Sequence, residues 1–149
     1  MTKITTVKQV LQGKGNAIWS ITPESTVLEA LQLMADKDVG ALLVMKEGKL
    51  AGIFSERDYA RKAILKEKPS KDMLVKDFMT RELFYISPDT TIEECMALIT
   101  QKRIRHLPVM EEGQVVGVLS IGDVVKKLIS DQDFTIQQLE NYVLGEYGM

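Results

Sequence analysis

The chain carries one pattern twice. Displaced by 65 residues, segment 20–64 lies on 85–129 without a gap, and about a third of the aligned positions are identical. Pro23 meets Pro88, Thr26 meets Thr91, Glu29 meets Glu94 and Leu42 meets Leu107. Val44-Met45 meets Val109-Met110, Glu47-Gly48 meets Glu112-Gly113, and Gly52, Ser55 and Asp58 meet Gly117, Ser120 and Asp123. Such a duplication leaves few folds open. Both copies must form the same unit, and a unit this small buries little apolar surface alone. Two copies packed sheet to sheet meet both conditions.

Each copy reads strand–helix–strand–strand–helix, an α/β (α+β) pattern. In the first, Ile18 to Ile21 form a short strand ended by Thr22-Pro23. Thr26 and Glu29 make a capping box, and Val27, Ala30, Leu31, Met34 and Ala35 trace one helical face to about Lys37. Ala41 to Met45 is an apolar strand, Lys46-Glu47-Gly48-Lys49 a tight turn, and Leu50 to Phe54 the returning strand. Ser55 opens a helix to about Lys66, with Tyr59, Ala60, Ala63 and Ile64 among its apolar positions. Flanking the repeats, Ile4, Val7, Val10 and Leu11 predict a short helix over 4–12 that Gly13-Lys14-Gly15 stops. Phe134, Ile136, Leu139, Tyr142 and Val143 predict another near the C-terminus. Val75 to Met79 reads as one helical turn. The expected organisation is a helix in 1–15, repeats over 16–67 and 81–130, a linker over 68–80 and a helix in 131–149.

Composition narrows the function classes. A formal net charge of −2 gives no basic field for nucleic acid. No apolar run nears the roughly 18–20 residues a membrane span needs, and the N-terminus lacks a signal-peptide pattern. The single Cys95 excludes an intramolecular disulfide and sits on an apolar helix face, and metal-ligand spacings such as CxxC or HExxH are absent. A cytoplasmic protein without a catalytic cofactor or metal is expected. The lone His106 has no serine or cysteine partner in the repeat pattern, so no nucleophilic enzyme is expected.

The chemistry concentrates where an apolar strand runs into Ser-x-x-Asp: Gly52-Ile53-Phe54-Ser55-Glu56-Arg57-Asp58 and Gly117-Val118-Leu119-Ser120-Ile121-Gly122-Asp123. Serine at an N-cap with an acid three residues later starts a helix. It also gathers backbone N–H groups, a hydroxyl and a carboxylate that could hold a sugar phosphate. The plainer reading is ion pairing along the helix, Asp58 with Arg61 or Lys62 and Asp123 with Lys126 or Lys127.

These paired motifs, at constant spacing from matched proline, capping-box and Glu-Gly turn positions, resemble a tandem pair of cystathionine-β-synthase (CBS) domains, the Bateman module, as found in free-standing bacterial CBS-pair proteins. The resemblance covers about residues 16–130. It implies a pseudo-two-fold module with two clefts for adenosine ligands: AMP, ADP, ATP, NAD(H) or S-adenosylmethionine. In that family the Ser/Thr-x-x-Asp of one repeat holds the ribose and the first strand of the other receives adenine. A basic residue before the other repeat's second strand meets phosphate.

Carried over residue by residue, one cleft takes Ser55, Arg57, Asp58 and Arg61 with Tyr85, Ile86, Ser87, Arg105, His106 and Pro108. The other takes Ser120 and Asp123 with Ile21, Thr22, Gly40 and Ala41. Gly122, Gly40 and Ala41 stand in the second where Arg57, Arg105 and His106 stand in the first. The first cleft is therefore expected to be better for AMP-like ligands, since guanidinium offers phosphate paired donors. The resemblance implies a ligand sensor and a homodimer acting on an unidentified protein partner. An interaction scaffold and a nucleotide-acting enzyme are the alternatives.

Overall fold

In the computed structural model, residues 4–15 and 17–130 are described. The expected C-terminal helix in 131–149 lies outside them. The two stretches that precede the repeats decide the architecture. Each docks on the copy that does not follow it, so the N-terminal arm belongs to the second repeat and the linker arm to the first.

The N-terminal arm supplies helix α1, Val7–Lys14. Val7 N–H donates to Thr90 O at 2.8 Å, Lys8 N–H to Pro88 O at 2.9 Å, and Ile92 N–H to Thr5 O at 2.9 Å. The linker arm repeats this set on the first copy. Val75 N–H donates to Ser25 O at 2.9 Å, Lys76 N–H to Pro23 O at 3.0 Å, and Val27 N–H to Met73 O at 2.8 Å. Val27 and Ile92 open helices α2 (Val27–Lys37) and α4 (Ile92–Lys102). Each arm therefore satisfies a first-turn N–H that its helix cannot satisfy itself. Thr26 and Thr91 complete these starts, accepting from Glu29 N and Glu94 N at 3.1 Å in both copies.

Two compact units result. Of the described residues, one holds 17–85 and 108–118; the other holds 4–15, 86–107 and 119–130. In the first, β1 (Ser20–Ile21) runs parallel to β2 (Ala41–Lys46), and β2 pairs antiparallel with β3 (Lys49–Ser55). Glu47 and Gly48 turn the hairpin with φ of 52° and 78°, the positive pair a two-residue turn needs. The core joins Val27, Ala30, Met34, Leu42, Val44 and Phe54 to Met73, Val75, Phe78 and Met79. Four residues of what reads as a linker are thus core. Gly52 shows the fit: a Cβ there would lie 2.8 Å from Thr80 O and 2.9 Å from Met79 Sδ.

The second unit buries Val7, Leu11, Ile86, Ile92, Cys95, Ile99, Leu107, Leu119 and Val124. The remaining sheet, mostly in the 108–118 part of the first unit, is two-stranded: β4 (His106–Glu111) and β5 (Gln114–Ser120) close around the matching turn, Glu112 and Gly113, at φ 51° and 77°. Helix α5 covers 121–130.

Four expectations change in detail. The first helix runs from Val7 to Lys14 instead of 4–12. The Gln9 side chain accepts from Thr6 N–H and fixes the start, while Gly15 at φ 93° makes the stop. A single glycine such as Gly13 costs only about 1 kcal/mol inside a helix. The first strand of the second copy shrinks to one bridging residue, Ile86; its counterpart β1 pairs only two residues, so both sit at the limit of a ladder. The segment after Ser55 (α3, Glu56–Asp58) continues as a π turn over Tyr59–Ala63 and a 3₁₀ turn over Ile64–Lys66. The extra residue per turn buries Ala63 completely and leaves Ile64 54% exposed, outside the expected apolar face.

Candidate functional site

Each Ser-x-x-Asp forms a closed capping ring. Asp58 Oδ2 accepts from Ser55 N–H at 2.9 Å and from Ser55 Oγ at 3.0 Å, while Asp58 N–H donates to Ser55 Oγ at 3.1 Å. In the second copy Asp123 Oδ2 accepts from Ser120 N–H at 2.8 Å, and Asp123 N–H donates to Ser120 Oγ at 3.1 Å. A backbone carbonyl completes both starts. Glu56 N–H donates to Gly40 O at 3.0 Å and Ile121 N–H to Arg105 O at 2.7 Å. Gly40 and Arg105, 65 residues apart in sequence, thus do the same backbone work in their own copies.

The carboxylates differ in their remaining partners. Asp58 is 8% exposed. Its Oδ1 accepts from Thr80 Oγ1 at 3.1 Å and lies 3.0 Å from Lys62 Nζ. Asp123 is less buried, and its Oδ2 lies 2.6 Å from Lys14 Nζ. Burial pushes the Asp123 carboxyl up, but the hydrogen bonds and charge of Lys14, together with the Ser120 bonds, outweigh it and hold the group below the usual carboxylate range. The helix-surface reading therefore describes Asp58 with Lys62. For Asp123 the ammonium comes instead from α1, an element more than a hundred residues away in sequence.

The other expected site residues divide between the units. Ser55, Arg57, Asp58, Arg61, Ile21, Thr22, Gly40, Ala41, Tyr85 and Pro108 lie in one; Ile86, Ser87, Arg105, His106, Ser120 and Asp123 lie in the other. Within the first unit, strand register sets Ala41 opposite Ser55. Arg57, Arg61, Thr22, Gly40 and Tyr85 are exposed. In the second unit Arg105 and Ser87 are exposed and His106 half-buried. Ile86 and Pro108 are buried, so their side chains serve packing. Trp19 is 38% exposed and carries Lys37 Nζ 4.5 Å from its ring centroid. Cys95 is fully buried, and burial first, then Glu94 and Glu93, push its thiol up to about 11.

Lys14 and Thr80 escaped the sequence reading. Both lie at the far ends of the arms, outside the 65-residue repeat. A signal did exist: Val7-Lys8-Gln9-Val10-Leu11 and Val75-Lys76-Asp77-Phe78-Met79 share a pattern at a spacing of 68. Among the described residues no group of acids, histidine and cysteine could hold a metal ion, and no helix is long and apolar enough to cross a membrane.

This architecture has clear relatives. The CBS-domain family model matches residues 16–64 and 75–130. The crystal structure of a CBS-domain protein, NE2398, is 52% identical, covers 85% of this chain and 99% of its own, and superimposes with a TM-score of 0.82. The mitochondrial CBS domain-containing protein CBSX3 of Arabidopsis thaliana is 39% identical over 96% of this chain and 74% of its own. More distantly, at 22% identity and a TM-score of 0.75, the CBS pair of MJ0100 covers 87% of this chain and 99% of its own, and that structure is a complex with 5′-methylthioadenosine and S-adenosyl-L-methionine. Two family matches, one on each copy of the duplicated Ser-x-x-Asp framework, make the chain a member of the CBS-domain family with a tandem CBS pair.

Proposed function

We propose that this CBS pair is a regulatory sensor of adenosine ligands, and that Ser55 and Asp58 hold the ribose of an AMP-like molecule. The geometry of Asp58 carries the reading. One carboxylate oxygen is locked into the capping ring, so the group is already ordered. The other is held by a hydroxyl and an ammonium, Thr80 and Lys62, whose places a ribose diol can take with two hydroxyl donors. Arg57 and Arg61, both exposed, suit the phosphate, with Arg105 and His106 as further donors and Tyr85, Ile86, Ser87 and Pro108 on the adenine side. Ser120 and Asp123, with Ile21, Thr22, Gly40 and Ala41, form a second and weaker adenosine site. AMP is the preferred ligand; ADP, ATP, NAD(H) and S-adenosylmethionine share the adenosine it needs, and MJ0100 holds two such compounds on this fold.

The module works without catalysis. A ligand shifts conformation only by its differential affinity for two states, and the output is an altered surface toward a second copy or a regulated protein. Thermal melts in the presence of adenosine, AMP, ATP, NAD and S-adenosylmethionine test the reading. At about 100 times Kd the ligand adds about 2.7 kcal/mol, which raises Tm by about 5–10 °C for a chain of this size. A second reading has the same bonds in its favour: Asp58 is fully partnered inside its own unit and serves folding alone. No melting shift with any adenosine compound decides for that scaffold.

A further inference from the structure

Lys62 holds the oxygen of Asp58 that the capping ring leaves over. Its Nζ lies 3.0 Å from Asp58 Oδ1 and donates to Phe78 O at 3.4 Å. Oδ2 of the same carboxylate is taken by Ser55, and Oδ1 also accepts from the Thr80 hydroxyl. The two ends of the ion pair differ in exposure. The Asp58 side chain is 10% exposed and that of Lys62 48%. The carboxylate is fixed, while the ammonium stands at the surface on a flexible four-carbon stem.

The local backbone also sets Lys62 apart. It stands in the π turn Tyr59–Ala63, directly after the Ser-x-x-Asp start. Turns of this kind are rare and recur at functional sites. The matched stretch of the second repeat is regular helix, within α5. There Lys14 meets Asp123 on Oδ2, the oxygen that also accepts from Ser120 N–H. The ammonium of Lys62 sits on the oxygen outside its capping ring, and that of Lys14 on the oxygen inside.

We propose that Lys62 makes the first site select a phosphorylated adenosine over the nucleoside, by exchanging Asp58 for the phosphate of the ligand. The inference rests on the reading of Ser55 and Asp58 as the ribose site. Charge balance gives the reason. A ribose diol that bonds Oδ1 displaces the ammonium. Adenosine is neutral, so it breaks the ion pair and offers Lys62 nothing in return. AMP brings its own anion, and the released ammonium donates to it. One ion pair replaces another, and the half-exposed position of Lys62 makes the first pair a weak one to open. Arg57 and Arg61 attract the same phosphate. What Lys62 adds is competition, because its partner before binding is the carboxylate that the ribose needs.

Calorimetric titration of the full chain with AMP and with adenosine tests the exchange in the wild type, Lys62→Met and Lys62→Arg. Methionine keeps an apolar stem without the charge, and at a half-exposed position the fold should hold. Adenosine should bind Lys62→Met more tightly than the wild type, by up to about fivefold, since its competitor is gone. The preference for AMP over adenosine should fall about tenfold or more in the same variant, through loss of a charge-assisted hydrogen bond to phosphate. Lys62→Arg keeps the charge and should keep AMP ahead. A purely structural lysine would move both ligands alike. An unchanged AMP-to-adenosine ratio in Lys62→Met, weaker adenosine binding there, or Lys62→Arg behaving as Lys62→Met each overturns the exchange. A wild-type chain that binds neither compound overturns the ribose site itself and the exchange with it, a result distinct from binding with an unchanged ratio.

Discussion

Lys14 Nζ lies 2.6 Å from Asp123 Oδ2. The bond ties the N-terminal arm to the Ser-x-x-Asp turn of the second repeat, as Thr80 ties the linker arm to Asp58 in the first. In both copies the carboxylate of the Ser-x-x-Asp turn is thus bonded to a side chain from an arm.

Replacing Lys14 by methionine should cost little and show a definite pH dependence. The pair is partly exposed, so about 0–1 kcal/mol is expected at pH 7. Asp123 has its carboxyl held below the usual range in the folded chain. Its stabilisation is therefore present above the ordinary aspartate pKa and lost as pH falls through the folded value. Urea unfolding of wild type and Lys14→Met should differ at pH 7 and converge as pH falls through the lowered Asp123 value.

Gly52→Ala and Gly13→Ala should move stability in opposite directions. At Gly52 the new Cβ meets the Thr80 carbonyl and the Met79 sulfur inside 3.0 Å, and such overpacking costs about 1–3 kcal/mol. At Gly13, inside α1, it meets nothing, and removing glycine from a helix adds about 0.5–1 kcal/mol. Melting curves of the two variants check both signs.

The crossed arms predict a non-local effect. Deleting residues 1–8 removes the Thr5 carbonyl from Ile92 N–H, so hydrogen exchange at Ile92 should accelerate while Val27, held by Met73 in the other unit, keeps its protection. Equal change at both amides would contradict the arm assignment.

Asp58→Ala should separate the sensor from the scaffold. It removes the acceptor of Ser55 N–H and of the Thr80 hydroxyl, costing about 1–3 kcal/mol of stability. On the proposed function it also lowers AMP affinity roughly tenfold or more. Calorimetry showing wild-type AMP binding in a destabilised Asp58→Ala chain would leave only the structural role.

Cys95 should be silent in the folded protein. Its thiol is fully buried and raised to about 11, and only the thiolate reacts quickly. A thiol reagent at pH 8 should label it only after denaturant is added.

The amino-acid pattern by itself determined the duplication, the capping boxes at Thr26 and Thr91, the Glu-Gly turns and the two Ser-x-x-Asp starts. All of these are local: a side chain bonds a backbone group three residues away, or a hairpin closes over two residues. The CBS family was legible for the same reason, because its signature lies in those local motifs. Tertiary structure alone decided what meets Asp58 and Asp123. Lys14 approaches across more than a hundred residues of sequence, and Thr80 arrives from a stretch that reads as linker. Helical periodicity is silent on such partners, since nothing in the local backbone of α1 says which repeat it will cover. The crossed docking of the arms follows from burying Val7 and Leu11 in one unit and Val75, Phe78 and Met79 in the other. Burial is settled by the whole chain at once, and no short window of sequence contains it.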